Sequence, residues 1–269
     1  MIQKFHWKVV SKRLLVAVAT MLVLVCGLAW GETATISGRF MIDEDKPMSE
    51  GLVYIYDLAY GPPPSTERYW RVPDVSRRLD IEGRFSFQLE PGEYCFAAIK
   101  RKNGPTRFGP PLEGDQWVIA VEKEASPKRF RLAGGSKVDI GTIGGALPFK
   151  VPVLAKGMTA IEGIVQDVDG KPVEGVMAFA FLTPVIAGKP LFISDRTDRA
   201  GRFVLRVHEG GTYYLKLRDS IGGGIPKGGA IIDGDIDESM RQVTVKSGEF
   251  LQGLKFKVKT FPGRGKNKE

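Results

Sequence analysis

The chain has 269 residues, with 39 Lys and Arg against 31 Asp and Glu, two cysteines and two histidines. That length supports one large domain or two of about 120 residues, each able to bury a core, and two cysteines exclude a disulfide scaffold. The net charge of +8 points toward an acidic partner such as nucleic acid only if the excess forms a stripe, and its distribution excludes that.

Four of the basic residues, Lys4, Lys8, Lys12 and Arg13, open the chain without a single acid among residues 1–31. An apolar run, "LLVAVATMLVLVCGLAW", follows, and Ala29-Trp30-Gly31 places small residues where a signal peptidase reads. Residues 1–31 are therefore expected to be a signal peptide cleaved after Gly31. A retained anchor is the alternative, since Leu14 to Trp30 falls just short of the roughly 20 apolar residues of a comfortable membrane span. Cys26 does not suit a lipid anchor, because Val25 stands where Gly or Ala is needed. Cleavage leaves 39 − 4 = 35 basic residues against 31 acidic ones, a net +4. Residues 32–150 carry 17 of each sign, 151–260 carry 15 basic and 13 acidic, and the tail 261–269 carries three against one. Neither half has a basic field, and the tail reads as disordered and solvated.

The rest of the chain repeats itself. "ISGRFMIDEDKPMSEGLVYIYD" (36–57) and "IEGIVQDVDGKPVEGVMAFAF" (161–181) share spaced Gly and Pro, with Gly38, Pro47 and Gly51 matching Gly163, Pro172 and Gly175. Each predicts a strand, a polar turn and a return strand of alternating apolar residues. An irregular excursion follows, 58–78 in the first copy, and then the tetrad Asp-x-x-Gly-x-Phe: Asp80, Gly83, Phe85 and again Asp198, Gly201, Phe203. In a loop entering a strand, Gly takes a positive φ, Asp accepts backbone N–H bonds and Phe begins the buried face. These aspartates are expected to be turn residues and not catalytic acids.

"FSFQLEPGEYCFAAI" (85–99) then aligns with "FVLRVHEGGTYYLKL" (203–217), pairing Gly92-x-Tyr94 with Gly211-x-Tyr213. Period-two alternation predicts one apolar face per strand and a wet opposite face carrying Ser86, Gln88, Arg206, Lys216 and Arg218. By the same parity Cys95 is expected on the outward side, partly accessible. About seven short strands per copy, with Gly and Pro turns between them and no amphipathic helix after residue 31, predict an all-β protein of two tandem β-sandwiches. The expected boundaries are 32–143 for the first, 144–157 for a Gly- and Pro-rich linker, 158–260 for the second and 261–269 for the tail.

The order strand, "DVDGKPVEGV", loop, "TDRAGRF", strand, "GTYYL" resembles the carboxypeptidase regulatory-like domain, a transthyretin-like β-sandwich of the immunoglobulin-like class. Asp169, Gly170, Pro172, Gly175, Thr197, Asp198, Gly201, Phe203, Gly211 and Tyr213 carry the likeness in the second copy. The first copy departs from it, with Glu44-Asp45-Lys46-Pro47 in place of the Gly turn and Leu79 where Thr is usual. The resemblance implies a non-catalytic module of exported and surface proteins that supports folding, partner contact or glycan contact.

Candidate chemistry is sparse. His208 would be the single histidine left after maturation, which excludes a His-type zinc site, and no Gly-x-Ser-x-Gly elbow accompanies it. Nothing near Cys95 in the sequence depresses a thiol pKa, so it reads as inert, with an intermolecular disulfide as the alternative. Asp233, Asp235 and Asp237 alternate as in the start of a calcium loop, but Glu238 and Thr244 occupy the positions that need Gly and Glu, so a loop calcium site is only a weak candidate. No cofactor is expected. The excursion 58–78 and the loop before "QWVIAV" gather Tyr60, Tyr69, Trp70 and Trp117, large rings that either plug the sandwich or face a ligand or partner. The expected function is that of an exported, non-enzymatic module of a cell envelope or the extracellular space, contacting a protein partner in a larger assembly. The alternative is carbohydrate binding through those rings. Nucleic acid is excluded as a partner, and a membrane enters only through an uncleaved leader.

Overall fold

The computed structural model describes residues 32–65, 67–122, 126–184, 188–222, 227–233 and 240–261. The expected signal peptide and all of the basic tail except Phe261 lie outside the described residues. The first copy forms β1 (Ala34–Phe40), β2 (Leu52–Asp57), β3 (Val75–Arg78), β4 (Arg84–Leu89), β5 (Gly92–Lys100), β6 (Gln116–Ile119), β7 (Phe130–Leu132), β8 (Lys137–Ile143) and β9 (Leu147–Pro148). The second forms β10 (Thr159–Gln166), β11 (Met177–Phe181), β12 (Phe192–Ile193), β13 (Arg202–Val207), β14 (Gly211–Arg218), β15 (Ile231–Asp233), β16 (Arg241–Val245) and β17 (Phe250–Thr260).

The two copies fold alike, as a pair of tandem β-sandwiches. In the first, β1 lies between antiparallel β4 and parallel β8; in the second, β10 lies between antiparallel β13 and parallel β17. The facing sheets run β3-β2-β5-β6-β9 with β7 also on β5, and β12-β11-β14 with β16 on β14. β15 pairs with both β14 and β17, which joins the two sheets of the second copy. The register explains two shared motifs at once. Gly38 lies opposite Phe85, and Gly163 opposite Phe203, so the first-strand glycine leaves room for the tetrad's ring. A Cβ on Gly163 would sit 2.6 Å from the Phe203 ring.

Each sandwich closes on its own core. Ile36, Phe40, Val53, Ile55, Phe85 and Phe96 fill the first, and Ile161, Val165, Ala178, Phe203, Leu205 and Leu215 the second. Tyr94 donates its hydroxyl to the Glu90 carbonyl at 3.0 Å, and Tyr213 donates to that of Glu209 at 2.8 Å, a tyrosine corner in each copy.

Two expectations need correction. Part of the linker expected at 144–157 is sheet, because Leu147 and Pro148 pair with Trp117 and Gln116. Gly144-Gly145 interrupts in the first copy what β17 runs through unbroken in the second. The outer faces of two of the sheets are also not wet. Tyr54, Tyr56, Cys95, Ala97, Ile99 and Trp117 form a buried cluster on the outer face of β2, β5 and β6, while Met177, Phe179 and Ile193 form another on the outer face of β11 and β12. Arg206 and Lys216 are buried as well. Alternation identifies which residues share a face, but the second faces of β2, β5 and β6 and of β11 and β12 are covered by chain from elsewhere, while Ser86 and Gln88 on β4 are exposed as expected.

Candidate functional site

The cover is the excursion between β2 and β3. Its three prolines, residues 62–64, hold an extended path, and buried Arg71 gathers the carbonyls around it. One guanidinium nitrogen donates to Gly61 O (3.2 Å) and Pro62 O (2.6 Å); the other donates to Asp57 O (2.7 Å) and to the Asp74 carboxylate (2.6 Å). The guanidinium also stands 5.4 Å over the Tyr56 ring. Burial lowers the pKa of Arg71 and raises that of Asp74, and their contact opposes both shifts.

Beyond this anchor the excursion docks on the second sandwich. Val72 N–H donates to Leu191 O (2.9 Å) and Ile193 N–H to Trp70 O (3.4 Å), so residues 70–72 extend the β12 edge by a short antiparallel bridge between Arg71 and Phe192. Lys189 Nζ donates to the Asp74 carbonyl. Tyr69, 7% exposed, enters the second copy's core, with its ring 5.5 Å from Phe192 and 5.2 Å from the exposed His208, and its hydroxyl donating to Pro63 O at 2.8 Å. Trp70 packs against both outer-face clusters, 5.2 Å from Trp117 and 6.0 Å from Tyr54.

The four rings singled out in the sequence therefore have different fates. Trp70 and Trp117 come together, Tyr69 is drawn into the other sandwich, and Tyr60 stands apart at 70% exposed. Trp117 is 4% exposed, so neither it nor Tyr69 presents a face on which a sugar could stack. Loop position suggests exposure; here Tyr69 and Trp70 are consumed by packing between the copies and Trp117 by packing within the first.

Cys95 is buried, contrary to the expected partial access, because β5 has covered faces on both sides. Burial pushes its thiol up to about 11 and the Tyr54 phenol up to about 12, and raises Tyr56 well above its ordinary value. All three stay protonated at neutral pH. The tetrad aspartates bond their own turns: Asp80 Oδ1 accepts from Glu82 N–H (2.9 Å) and Arg84 N–H (2.7 Å), and Asp198 Oδ1 from Ala200 and Arg202 N–H (both 2.9 Å). Gly83 and Gly201 take φ of 75° and 73°, where a Cβ would strike the carbonyls of Phe40 and Val165 at 2.3 and 2.4 Å. Asp233 ends β15, its Oδ1 accepting Leu217 N–H at 2.8 Å; Asp235 and Asp237 lie outside the described residues.

Sequence reasoning missed three features. One is Arg71, whose only signal was a cation inside "YWRVP". A second is the buried pair Arg101–Asp115 (2.5 Å), around which loop 101–115 is wound. The third is a cleft of about 800 Å³ between the sandwiches, walled by Trp70, Phe108 and Pro110 on one side and Phe179, Phe181 and Lys216 on the other. On the outside, loop 110–115 is stitched to the segment after β9 by Gly114 N–H to Phe149 O (2.8 Å), Phe149 N–H to Asp115 O (2.7 Å) and Val151 N–H to the Glu113 carboxylate (3.0 Å). Exposed Leu112, Leu147, Val151 and Val153 line this strap.

Among the described residues no helix is long and apolar enough to cross a membrane. No protein-family profile matches the sequence, and no curated protein does. Among solved structures, the chain is similar to a streptococcal ancillary pilin at 14% identity, covering 86% of this chain and 64% of that one, with a TM-score of 0.26. The shaft pilin SpaA of Lactobacillus rhamnosus GG is 12% identical over 86% of this chain and 98% of its own, with a TM-score of 0.22. The full-length major pilin RrgB of Streptococcus pneumoniae is 10% identical over 86% and 48%, with a TM-score of 0.27. The chain thus spans less than two thirds of the ancillary pilin and about half of RrgB.

Proposed function

We propose that the chain is an exported, non-catalytic module that makes protein–protein contacts in a larger assembly of the cell envelope or extracellular space, built from two carboxypeptidase regulatory-like sandwiches. The observation that carries this reading is the strap. Leu147 is 71% and Val153 87% exposed, and with Val151 they are exposed aliphatics on a segment fixed at several points to the loop that carries exposed Leu112. Besides its bonds to the first copy, its Pro152 carbonyl accepts from Arg206 of the second at 3.0 Å. A segment of exposed aliphatics held in place by hydrogen bonds, with Lys150, Lys156 and Glu113 nearby in the chain, has the makeup of a contact surface waiting for a partner. Export rests on the leader expected at 1–31.

The test is cross-linking in the native envelope followed by mass spectrometry, with wild type beside Leu147→Asp and Val153→Asp. Both side chains are exposed, so the variants fold with unchanged melting temperature and lose most of the cross-linked partner. A partner captured equally well by the variants, through some other face, defeats this reading of the strap.

A further inference from the structure

The two copies part company on the outer face of their longest shared strand. With Gly92-x-Tyr94 set on Gly211-x-Tyr213, Cys95, Ala97 and Ile99 of β5 correspond to Tyr214, Lys216 and Arg218 of β14. In the first copy those positions are apolar and sealed beneath Trp70. In the second, two of them are cations on the wall of the cleft.

Lys216 is only 8% exposed, beside Phe179 in the β11–β14 register. Among the described residues its ammonium has no hydrogen-bond or ion-pair partner, and neither has the Arg218 guanidinium, whose Nε is buried. A guanidinium nitrogen buried without a partner, as Arg218 Nε is, is costly, and proteins pair such groups. The one carboxylate on the cleft wall, Asp74, is already engaged by Arg71 and by Asp57 N–H (2.7 Å). Two more cations, Arg77 and Lys189, stand at exposed positions on the same cleft. The rest of the wall is mostly hydrocarbon and aromatic ring, and about 800 Å³ lies within the range of small-molecule sites.

We propose that this cleft is a binding site for a small amphipathic anion: a single carboxylate or phosphate head anchored by Lys216 and Arg218, on an alkyl or aromatic body lying against Trp70 and Phe181. Positions i and i+2 of one strand face set the two cations on the same side, so both reach one head group. The site goes beyond partner contact and is independent of the strap, which faces outward.

The experiment is calorimetric titration of the purified chain with decanoate, decyl phosphate, decanamide and inorganic phosphate, with tryptophan emission recorded in parallel. Decanoate or decyl phosphate binds and shifts the emission, and the stronger of the two identifies the head; decanamide and inorganic phosphate each bind at least tenfold more weakly, as loss of one charge-assisted bond or of the apolar body requires (roughly tenfold or more). Lys216→Met weakens the preferred anion by roughly tenfold or more. Equal binding of decanoate and decanamide, binding of inorganic phosphate as tight as that of decyl phosphate, no binding of either amphiphile, or an affinity unchanged in Lys216→Met each overturns the proposal. Should Lys216→Met fail to fold, the wild-type ratio of anion to amide decides the matter alone, with Arg218→Gln as the second variant.

Discussion

Tyr69 belongs to the first copy by sequence and to the second by packing, so Tyr69→Ala separates the two descriptions. Its ring is 7% exposed and its hydroxyl bonds Pro63 O. A buried aromatic covers about 150–250 Å², worth about 4–6 kcal/mol at about 25 cal/mol per Å² as an upper bound. Partial collapse around Phe192 and retention of Cβ reduce this to about 3 kcal/mol, the low end for an aromatic cut to alanine in a core. Tyr69→Phe removes only the hydrogen bond, about 1 kcal/mol. The assay is urea denaturation followed by circular dichroism, with amide exchange at Phe192 and Ile193 as the local readout. Tyr69→Ala should speed exchange at these second-copy amides although the substitution lies more than a hundred residues away in sequence. A loss below about 0.5 kcal/mol, the scale of an ordinary surface change, with exchange at Ile193 unaltered, would refute the docking.

The remaining predictions concern the fold that holds this contact. Asp198→Ala removes the one oxygen that accepts two turn hydrogen bonds and should cost about 1–2 kcal/mol, with Asp80→Ala costing a similar amount in thermal melts, since the bonds are the same in both copies. Asp115→Ala strands the buried Arg101 and two backbone N–H groups, and should cost about 3–5 kcal/mol by urea titration. The Cys95 thiol, raised from 9.0 to about 11, should resist maleimide at pH 8 in the folded chain and react on addition of urea. Because the folded state holds that proton more tightly, its contribution to stability is complete below pH 9 and is lost between 9 and about 11; Tyr54 and Tyr213, raised from 10.0 to about 12, act in the same direction. The urea midpoint should therefore fall above pH 9, and a midpoint flat to pH 11 contradicts the burial argument.

What the sequence discloses is local chemistry, and what it hides is which surfaces meet. Asp198 bonds amides two and four residues on, and Gly201 takes a φ of 73°, so their spacing alone specifies the turn. The first hairpin shows how far that goes: Glu44-Asp45-Lys46-Pro47 lacks the glycine, yet Asp43 Oδ1 accepts Lys46 N–H at 2.9 Å as Asp167 Oδ1 accepts Lys171 N–H at 2.8 Å. The acceptor aspartate precedes both turns, and it defines them better than the glycine does. Outer faces are different. Ala97 and Lys216 sit at one alignment position, and nothing within ten residues of either says that Trp70 will cover the first and border a cleft beside the second. That depends on a bridge between Arg71 and Phe192, 121 positions apart in the chain.

Duplication sharpens the search for function by subtraction. Elements present in both copies, such as the tetrad, the tyrosine corner and the bulged parallel pairing of the first strand with the last, are accounted for by the need to close a sandwich. The features that differ have no such account. The triple-proline excursion with Arg71 exists only in the first copy, and the cationic outer face of β14 only in the second. These two differences meet: the excursion supplies Trp70 and Asp74, the strand supplies Lys216 and Arg218, and the cleft lies between them. Cations that merely keep a surface soluble stand exposed, as Arg202 and Lys257 do on β13 and β17, whereas Lys216 is 8% exposed and Arg218 has its Nε buried. The partnerless Arg218 Nε beside Lys216, opposite an aromatic that the other copy contributes, is costly for the empty protein and favourable for one holding an anion, and that asymmetry is why the proposed ligand site is the cleft and not a turn aspartate or the lone histidine.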